Sequence, residues 1–373
     1  MLVGILTFYR PINHGAVLQA CATNNIVLRK LGIDSEVIDY RFSRIELYRK
    51  PISIKRILLQ NRLREKIECL LKDTIKLPFR IKENRLYDSF IKKYFTLSKK
   101  KYFNIDELET YCQGYDAYLV GSDLIWNPTM TDGFDPAFFL SFVKKKGVKK
   151  IAYAPSVGIT DLTDKEINNL KKNLVYLDYI SVREKSTALQ FQNLTDKEIH
   201  SVLDPTLLTY EKDWEKFYST KPFYEKRYIF AFMVEDSDVL VNAVNSLAKE
   251  YGCEIVAYGT HFAYKASKVT YLRFSFGPSE FLNVIKNAFS VVTNSYHGCA
   301  FSLIFQKDFY CIPHTLRGIR MIDLMASFKL DNRIVASNSF VVQPPIDYNA
   351  VNTLRNTLIK ESYKYLKKAL LSC

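Results

Sequence analysis

Short β-branched runs that stop at a polar turn and lead into a helix-length apolar segment recur along this chain. That repeat restricts its fold more than any other feature. The sharpest instance is Val291-Val292-Thr293, which halts at Asn294-Ser295 before an apolar segment beginning near Gly298. Asn and Ser are strong N-caps, so the stretch reads as buried strand, tight turn and helix N-terminus, with His297 at the junction. Comparable strands are expected at 2–8, 36–40, 116–120, 150–156, 179–182, 227–233, 254–257 and 308–312, most of them separated by helical patterns. Strands alternating with helices predict parallel sheets joined by right-handed crossovers, the α/β class.

Ligand sites in open parallel sheets lie just beyond the carboxyl ends of the strands, so the residues there are the candidates. At the Asn294-Ser295 turn, free backbone N–H groups and the helix dipole favour an anion. Asn294, Ser295 and Gly298 are therefore expected to cradle it. A histidine in that position can orient a phosphate and move a proton; the alternative is a histidine that only caps the turn. Arg183 follows the 179–182 strand and suits a carboxylate or phosphate fork, unless Glu184 takes it as an ion pair. Two further guanidiniums, Arg317 and Arg320, follow the 308–312 strand. After 116–120 come Ser122, Asp123, Trp126 and Asn127, a polar cluster with one aromatic that would suit a sugar ring. Asp123 as a turn residue and Trp126 as a lid on the core are the structural alternatives.

Other chemistries lack their signatures. The first turn, Arg10-Pro11-Ile12-Asn13-His14-Gly15, is not G-x-G-x-x-G, which argues against a dinucleotide. The five histidines show no H-x-x-x-H or H-E-x-x-H spacing, and the seven cysteines form no C-x-x-C pair. Neither a metal site nor a disulfide framework is expected, and no cofactor.

At 373 residues the chain exceeds what one core usually fills, so two domains are expected: 1–215 and 216–345, with a polar linker near 211–226 and a C-terminal helix at 346–373. The net charge of +14 is concentrated: residues 44–101 hold 18 Lys and Arg against 6 Asp and Glu. This interrupts the α/β rhythm and reads as a basic helical insertion, 44–105, of two or three amphipathic helices including 54–59 and 63–71. Such a stretch is either a solvated arm or a surface for an anionic partner; membrane lipid fits better than nucleic acid, for which no motif is present. No run of 18 apolar residues occurs, and the opening apolar run is too short for a signal peptide, so a cytoplasmic protein is expected, working at the inner face of the membrane. Oligomeric state is not encoded in any feature of the sequence.

Five ordered motifs resemble the polysaccharide pyruvyl transferase family. They are Gly4-Ile5-Leu6-Thr7-Phe8 with Asn13-His14-Gly15-Ala16-Val17-Leu18-Gln19; Tyr115 to Asp123 with Trp126-Asn127-Pro128; Ile180-Ser181-Val182-Arg183-Glu184; Val202-Leu203-Asp204-Pro205-Thr206; and Thr293 to Gly298. The resemblance implies two Rossmann-like domains facing across a cleft, as in B-type glycosyltransferases. It also implies phosphoenolpyruvate as donor, and as acceptor a hexose of a bacterial surface polysaccharide or its lipid-linked precursor, giving a pyruvate ketal. The family's strand-end arginine and second-domain histidine map onto Arg183 and His297, and a later basic residue onto Arg317 or Arg320. On the acceptor side Asn13, His14, Gly15, Gln19, Ser122, Trp126 and Asn127 are the candidates, with Asp123 or His14 as the expected base. This chain departs from relatives that carry Arg-Leu-His where it has Ser295-Tyr296-His297, so one cation is absent. A sugar-nucleotide-dependent glycosyltransferase of the same architecture, or a non-catalytic basic membrane-binding protein, are the alternatives.

Overall fold

The computed structural model describes residues 1–49, 62–258, 269–273 and 276–372. Two parallel sheets organise them. The first contains β1 (Leu2–Leu6), β2 (Asp34–Tyr40), β3 (Leu97–Tyr102), β4 (Ala117–Val120), β5 (Lys149–Ala152), β6 (Tyr179–Val182) and β7 (Ile199–Ser201), in the order β3-β2-β1-β4-β5-β6-β7. The second contains β8 (Tyr228–Phe232), β9 (Glu254–Tyr258), β10 (Val269–Arg273), β11 (Ser290–Thr293) and β12 (Asp308–Cys311), in the order β10-β9-β8-β11-β12. Both orders step outward from a first central strand and reverse on its other side, which is the doubly wound Rossmann arrangement. The fold is thus α/β, with two Rossmann-like domains. Strands β4, β8 and β11 are buried along their whole length, as expected of sheets covered on both faces.

The reversal points fix where a ligand can sit. In the first sheet β1 lies between β2 and β4, so the loops leaving β1 and β4 part there. In the second, β8 lies between β9 and β11. The helix His14–Ala22, which follows β1, is buried at all nine residues. A helix apolar all round must be covered all round; here the helices Pro278–Asn287 and Tyr296–Ile304 of the second half complete the cover. One apolar cluster accordingly runs through both halves, including Val17, Cys21 and Leu207 with Phe281, Leu282 and Phe301.

Three segments refine the expected boundaries. Residues 211–226 carry a short helix, Glu211–Trp214, and bury Trp214 and Phe217, so the polar stretch hides two anchors. The C-terminal helix Tyr348–Leu371 begins on the second half, where the Tyr348 hydroxyl donates to the Lys307 carbonyl at 2.5 Å. It ends on the first sheet, where the Tyr365 hydroxyl donates to the Ala152 carbonyl at 2.8 Å. The basic insertion contains the helices Ser43–Arg49 and Leu63–Tyr94, and its last residues form β3, an edge strand whose Lys99, Lys100 and Lys101 are exposed. Lysines on an edge discourage pairing with another sheet. The helix expected at 54–59 lies outside the described residues.

Candidate functional site

The carboxyl ends of β4, β5, β6 and β7 meet those of β11 and β12 across the cleft. Arg183, immediately after β6, lies at its centre with a side chain only 2% exposed. Its Nε donates to Glu184 Oε1 at 3.1 Å and its Nη1 to Asp204 Oδ2 at 3.1 Å. Its Nη2 is buried with no hydrogen-bond partner among the described residues. The guanidinium stacks 4.1 Å from the centre of the Tyr296 ring. Burial alone would weaken its charge, but Glu184, Tyr296, Asp204 and Asp123 together raise its pKa above the ordinary arginine value.

Asp204, just beyond β7, ties the cluster together. One carboxylate oxygen accepts from the Thr206 backbone at 2.9 Å and the Thr206 hydroxyl at 2.7 Å. The other accepts from the Ser122 hydroxyl at 2.9 Å and from Arg183. It also lies 3.7 Å from His297 Nε2. Burial would raise this carboxyl's pKa, yet His297, Arg183 and Thr206 outweigh it and hold the group well below the usual carboxylate range.

His297 comes from the second half, in the first turn of the Tyr296–Ile304 helix. Its Nε2 is buried and has no hydrogen-bond partner among the described residues. Its other face lies against the start of the His14–Ala22 helix: a Cβ on Gly15 would fall 2.0 Å from His297 Nδ1. Gly15 therefore contributes space rather than a ligand contact. The imidazole is held between Gly15 and Asp204, both from the first half, so the two domains build this position jointly.

Arg320 lies 5.9 Å from the centre of the same tyrosine ring. It is buried and makes no ion pair among the described residues; its Nε donates weakly to the Arg317 carbonyl at 3.4 Å. Burial, then the charge of Arg183, push its pKa down to about 10. Arg317 is half-buried, with Nη2 3.0 Å from His314 Nε2, while His314 Nδ1 lies 3.3 Å from Glu235. Asp123 is buried at φ 68° and ψ −169°, a strained region that non-glycine residues rarely adopt, and its charge acts on both Arg183 and Arg320. Two buried guanidiniums about one ring, one of them unpaired, form a seat for an anion, since a buried charge without a partner is expensive.

Other expected site residues have structural tasks. Trp126 is no sugar platform: it is fully buried, stacked on Phe139 at 4.9 Å, and its indole N–H donates to the Phe138 carbonyl. His14 is no acceptor-side base. Its Nε2 donates to the Phe276 carbonyl at 3.2 Å, its ring stacks 4.7 Å from Phe281, and burial pushes its pKa down to about 3. The Gln19 amide is fully engaged, donating to Thr7, Phe8 and Ala16 and accepting from the Ser122 N–H. Asn127 donates to the Val157 carbonyl, and exposed Asn13 caps the helix by accepting from the Ala16 N–H.

The turn after β11 is likewise held by its own chain. Asn294 accepts from the Val234 N–H and donates to the Glu235 carbonyl, linking the β8 and β11 exits. Ser295 caps the Gly298 N–H at 3.4 Å, and a Cβ on Gly298 would meet Thr293 Oγ1 at 2.4 Å. The cradle expected from free N–H groups is thus partly filled, and the cations lie beside it. The Arg183–Glu184 ion pair is the alternative that the sequence offered, whereas sequence reasoning gave no site role to Asp204, Tyr296 and Ser156, whose hydroxyl donates to Glu184 at 2.6 Å. The same strand-end argument that singled out Arg183 applies to Asp204. Among the described residues no group of three or more His, Cys, Asp and Glu is placed to hold a metal ion.

In the solved structures, the UDP-GlcNAc 2-epimerase of Methanocaldococcus jannaschii in complex with UDP-GlcNAc and UDP is similar at 14% identity and TM-score 0.47, covering 100% of this chain and 94% of that one. The glycosyltransferase SnogD from Streptomyces nogalater is similar at 10% identity and TM-score 0.45, covering 99% of each chain. Comparison with curated proteins returned no match. The family model for polysaccharide pyruvyl transferase matches residues 13–315. That span begins one residue before the helix carrying Gly15, takes in Arg183, Asp204 and His297, and covers most of the chain, so this protein is a transferase of the polysaccharide pyruvyl transferase family.

Proposed function

We propose that this protein transfers the enolpyruvyl group of phosphoenolpyruvate to two hydroxyls of one hexose, in a bacterial surface polysaccharide or its lipid-linked precursor, forming a pyruvate ketal and releasing phosphate. The observation that carries this reading is the buried guanidinium of Arg320, without an ion pair among the described residues, beside the tyrosine ring that Arg183 also lies over. A small donor with both a phosphate and a carboxylate matches two cations gathered around one tyrosine ring, and Arg317 adds a third nearby. The unpartnered Nη2 of Arg183 provides a free donor on the inner side.

His297, kept in place by Gly15 and Asp204, is the proton carrier. As imidazolium beside the Asp204 carboxylate it delivers a proton to the methylene carbon of the donor, generating an oxocarbenium-like centre. One acceptor hydroxyl attacks that carbon, and Asp123 receives its proton. The second hydroxyl closes the ketal as the C–O bond to phosphate breaks, and its proton returns to His297. One hydroxyl proton therefore ends on the new methyl group, and the proton on Asp123 leaves with phosphate. The guanidiniums stabilise the departing charge in a site with little water, where such interactions are strong.

The test is to incubate the protein with phosphoenolpyruvate and a panel of lipid-linked saccharides, measuring phosphate release and the mass of the pyruvylated product. Phosphate release coupled to the ketal product is expected, with Arg320→Ala raising the donor KM. A thermal shift given by nucleotide sugars and absent with phosphoenolpyruvate would instead point to a glycosyltransferase and overturn the reading.

A further inference from the structure

The helix Leu63–Tyr94 has two unlike halves. Its later half is built into the body: Tyr87, Phe90 and Ile91 belong to the apolar cluster shared by both domains, and the Tyr258 hydroxyl donates to Glu83 at 2.9 Å. Its first turns are different. Leu63, Ile67, Leu70 and Leu71 are exposed to 74%, 50%, 46% and 56%. Their spacing of i, i+4, i+7 and i+8 puts all four on one stripe of the helix. At about 100° per residue, Lys66 borders that stripe on one edge and Arg64 on the other, and Arg62 caps the helix just before it. Glu65 and Glu68 fall on the opposite half, where Arg64 pairs with Glu68 at 3.1 Å. Apolar side chains flanked by cations, with the carboxylates turned away, are complementary to an interface that is apolar inside and negative at its surface.

We infer that the stripe Leu63, Ile67, Leu70 and Leu71, with its cationic border, lies on an anionic lipid membrane. The charge around it supports this occupant over a second copy of the chain, which would bring the same cations into opposition. Residues 44–101, which include the lysines of β3, carry an excess of +12. No helix among the described residues is long and apolar enough to cross a membrane, so the contact is one of lying on the surface. Cations close to such a surface each strengthen partition about fivefold, and leucine-sized side chains entering the headgroup boundary add to this. The inference is independent of the pyruvyl-transfer reading, because lipid binding requires neither donor nor acceptor.

Sedimentation with vesicles tests it, using the full chain and either phosphatidylcholine alone or phosphatidylcholine mixed with phosphatidylglycerol. The wild type should sediment with the anionic vesicles, far less with the neutral ones, and less as salt rises. Ile67→Glu with Leu71→Glu, and separately Arg64→Glu with Lys66→Glu, should each lower partition by at least about tenfold. All four side chains lie outside the core, so circular dichroism and the melting temperature should stay at wild-type values. A wild type left in the supernatant with anionic vesicles overturns the inference. So does a stripe variant that partitions like wild type, or one whose only effect is to split a dimer in sedimentation velocity. Binding to nucleic acid with none to vesicles assigns the charge to another partner and also overturns it.

Discussion

At the residue scale, the balance between Asp204, Arg183 and His297 decides what each can do. Asp204 is fully buried and is held ionised by the groups around it, so removing its charge takes a counter-ion from the buried Arg183 guanidinium. Breaking a buried pair in this way costs about 3–5 kcal/mol. Asp204→Asn is therefore expected to lower both stability in urea and turnover. His297→Ala should lower turnover by about 10²–10⁴-fold with a smaller effect on stability, because its Nε2 makes no hydrogen bond that folding depends on. A folded His297→Ala protein that loses less than about tenfold in phosphate release would remove the histidine from the proposed chemistry. Gly15 makes a separate prediction. With only 2.0 Å between an added Cβ and His297 Nδ1, Gly15→Ala must shift the imidazole or the helix. Overpacking of this kind costs about 1–3 kcal/mol, and the activity loss should approach that of His297→Ala.

At the scale of elements, the helices that meet between the sheets carry a built-in response to acid. His14 opens the helix after β1 and is enclosed by Tyr87 from the Leu63–Tyr94 helix, Phe232 from β8, Tyr258 from β9 and Phe281. Among titratable groups, Tyr87 and Tyr258 face it, both with pKa values pushed up by burial, and Glu83 touches Tyr258. The folded protein keeps His14 neutral down to about pH 3, whereas an unfolded chain protonates it near its ordinary value of 6.5. Its contribution to stability is complete above that value and declines as pH falls between the two, because the unfolded state binds the extra proton. His14→Phe preserves the ring packing and removes that proton. Urea titrations between pH 6 and pH 4 should then show a slope of stability against pH shallower by up to about 1.4 kcal/mol per unit. An unchanged slope would mean that this histidine titrates alike in both states.

At the scale of the whole molecule, two sheets share one continuous apolar cluster, and the C-terminal helix begins on one and ends on the other. Neither half keeps its buried helices covered without its partner. Calorimetry is accordingly expected to give a single unfolding transition, with hydrogen exchange protecting β1 and β8 to a similar degree. Two well-separated transitions would show that the halves fold as independent units. The same joint construction bears on catalysis. His297 has its bounding groups, Gly15 and Asp204, on the other domain, so any change in cleft geometry alters the surroundings of the proton carrier.

The sequence by itself determined the α/β class, nine of the twelve strands among the described residues (not β3, β7 or β10), and the strand-end positions of Arg183, His297, Arg317 and Arg320. Those features follow from local periodicity and turn chemistry, which a short window records. Edge strand β3 escaped notice because Leu97-Ser98-Lys99-Lys100-Lys101-Tyr102 has the composition of a solvated basic run, and only pairing with β2 makes it a strand. Side-chain partners are a different matter, because they depend on which elements the topology brings together. Trp126 and His14 look like ligand-facing residues in the sequence, yet the packing of Phe139 and Phe281 turns both rings into core. Asp204 looks like an ordinary cap before a proline, and only the tertiary structure sets it between an arginine of its own domain and a histidine of the other. The cluster spans more than a hundred residues of chain, and no local pattern encodes a contact of that range. Burial and charge across the cleft decide it.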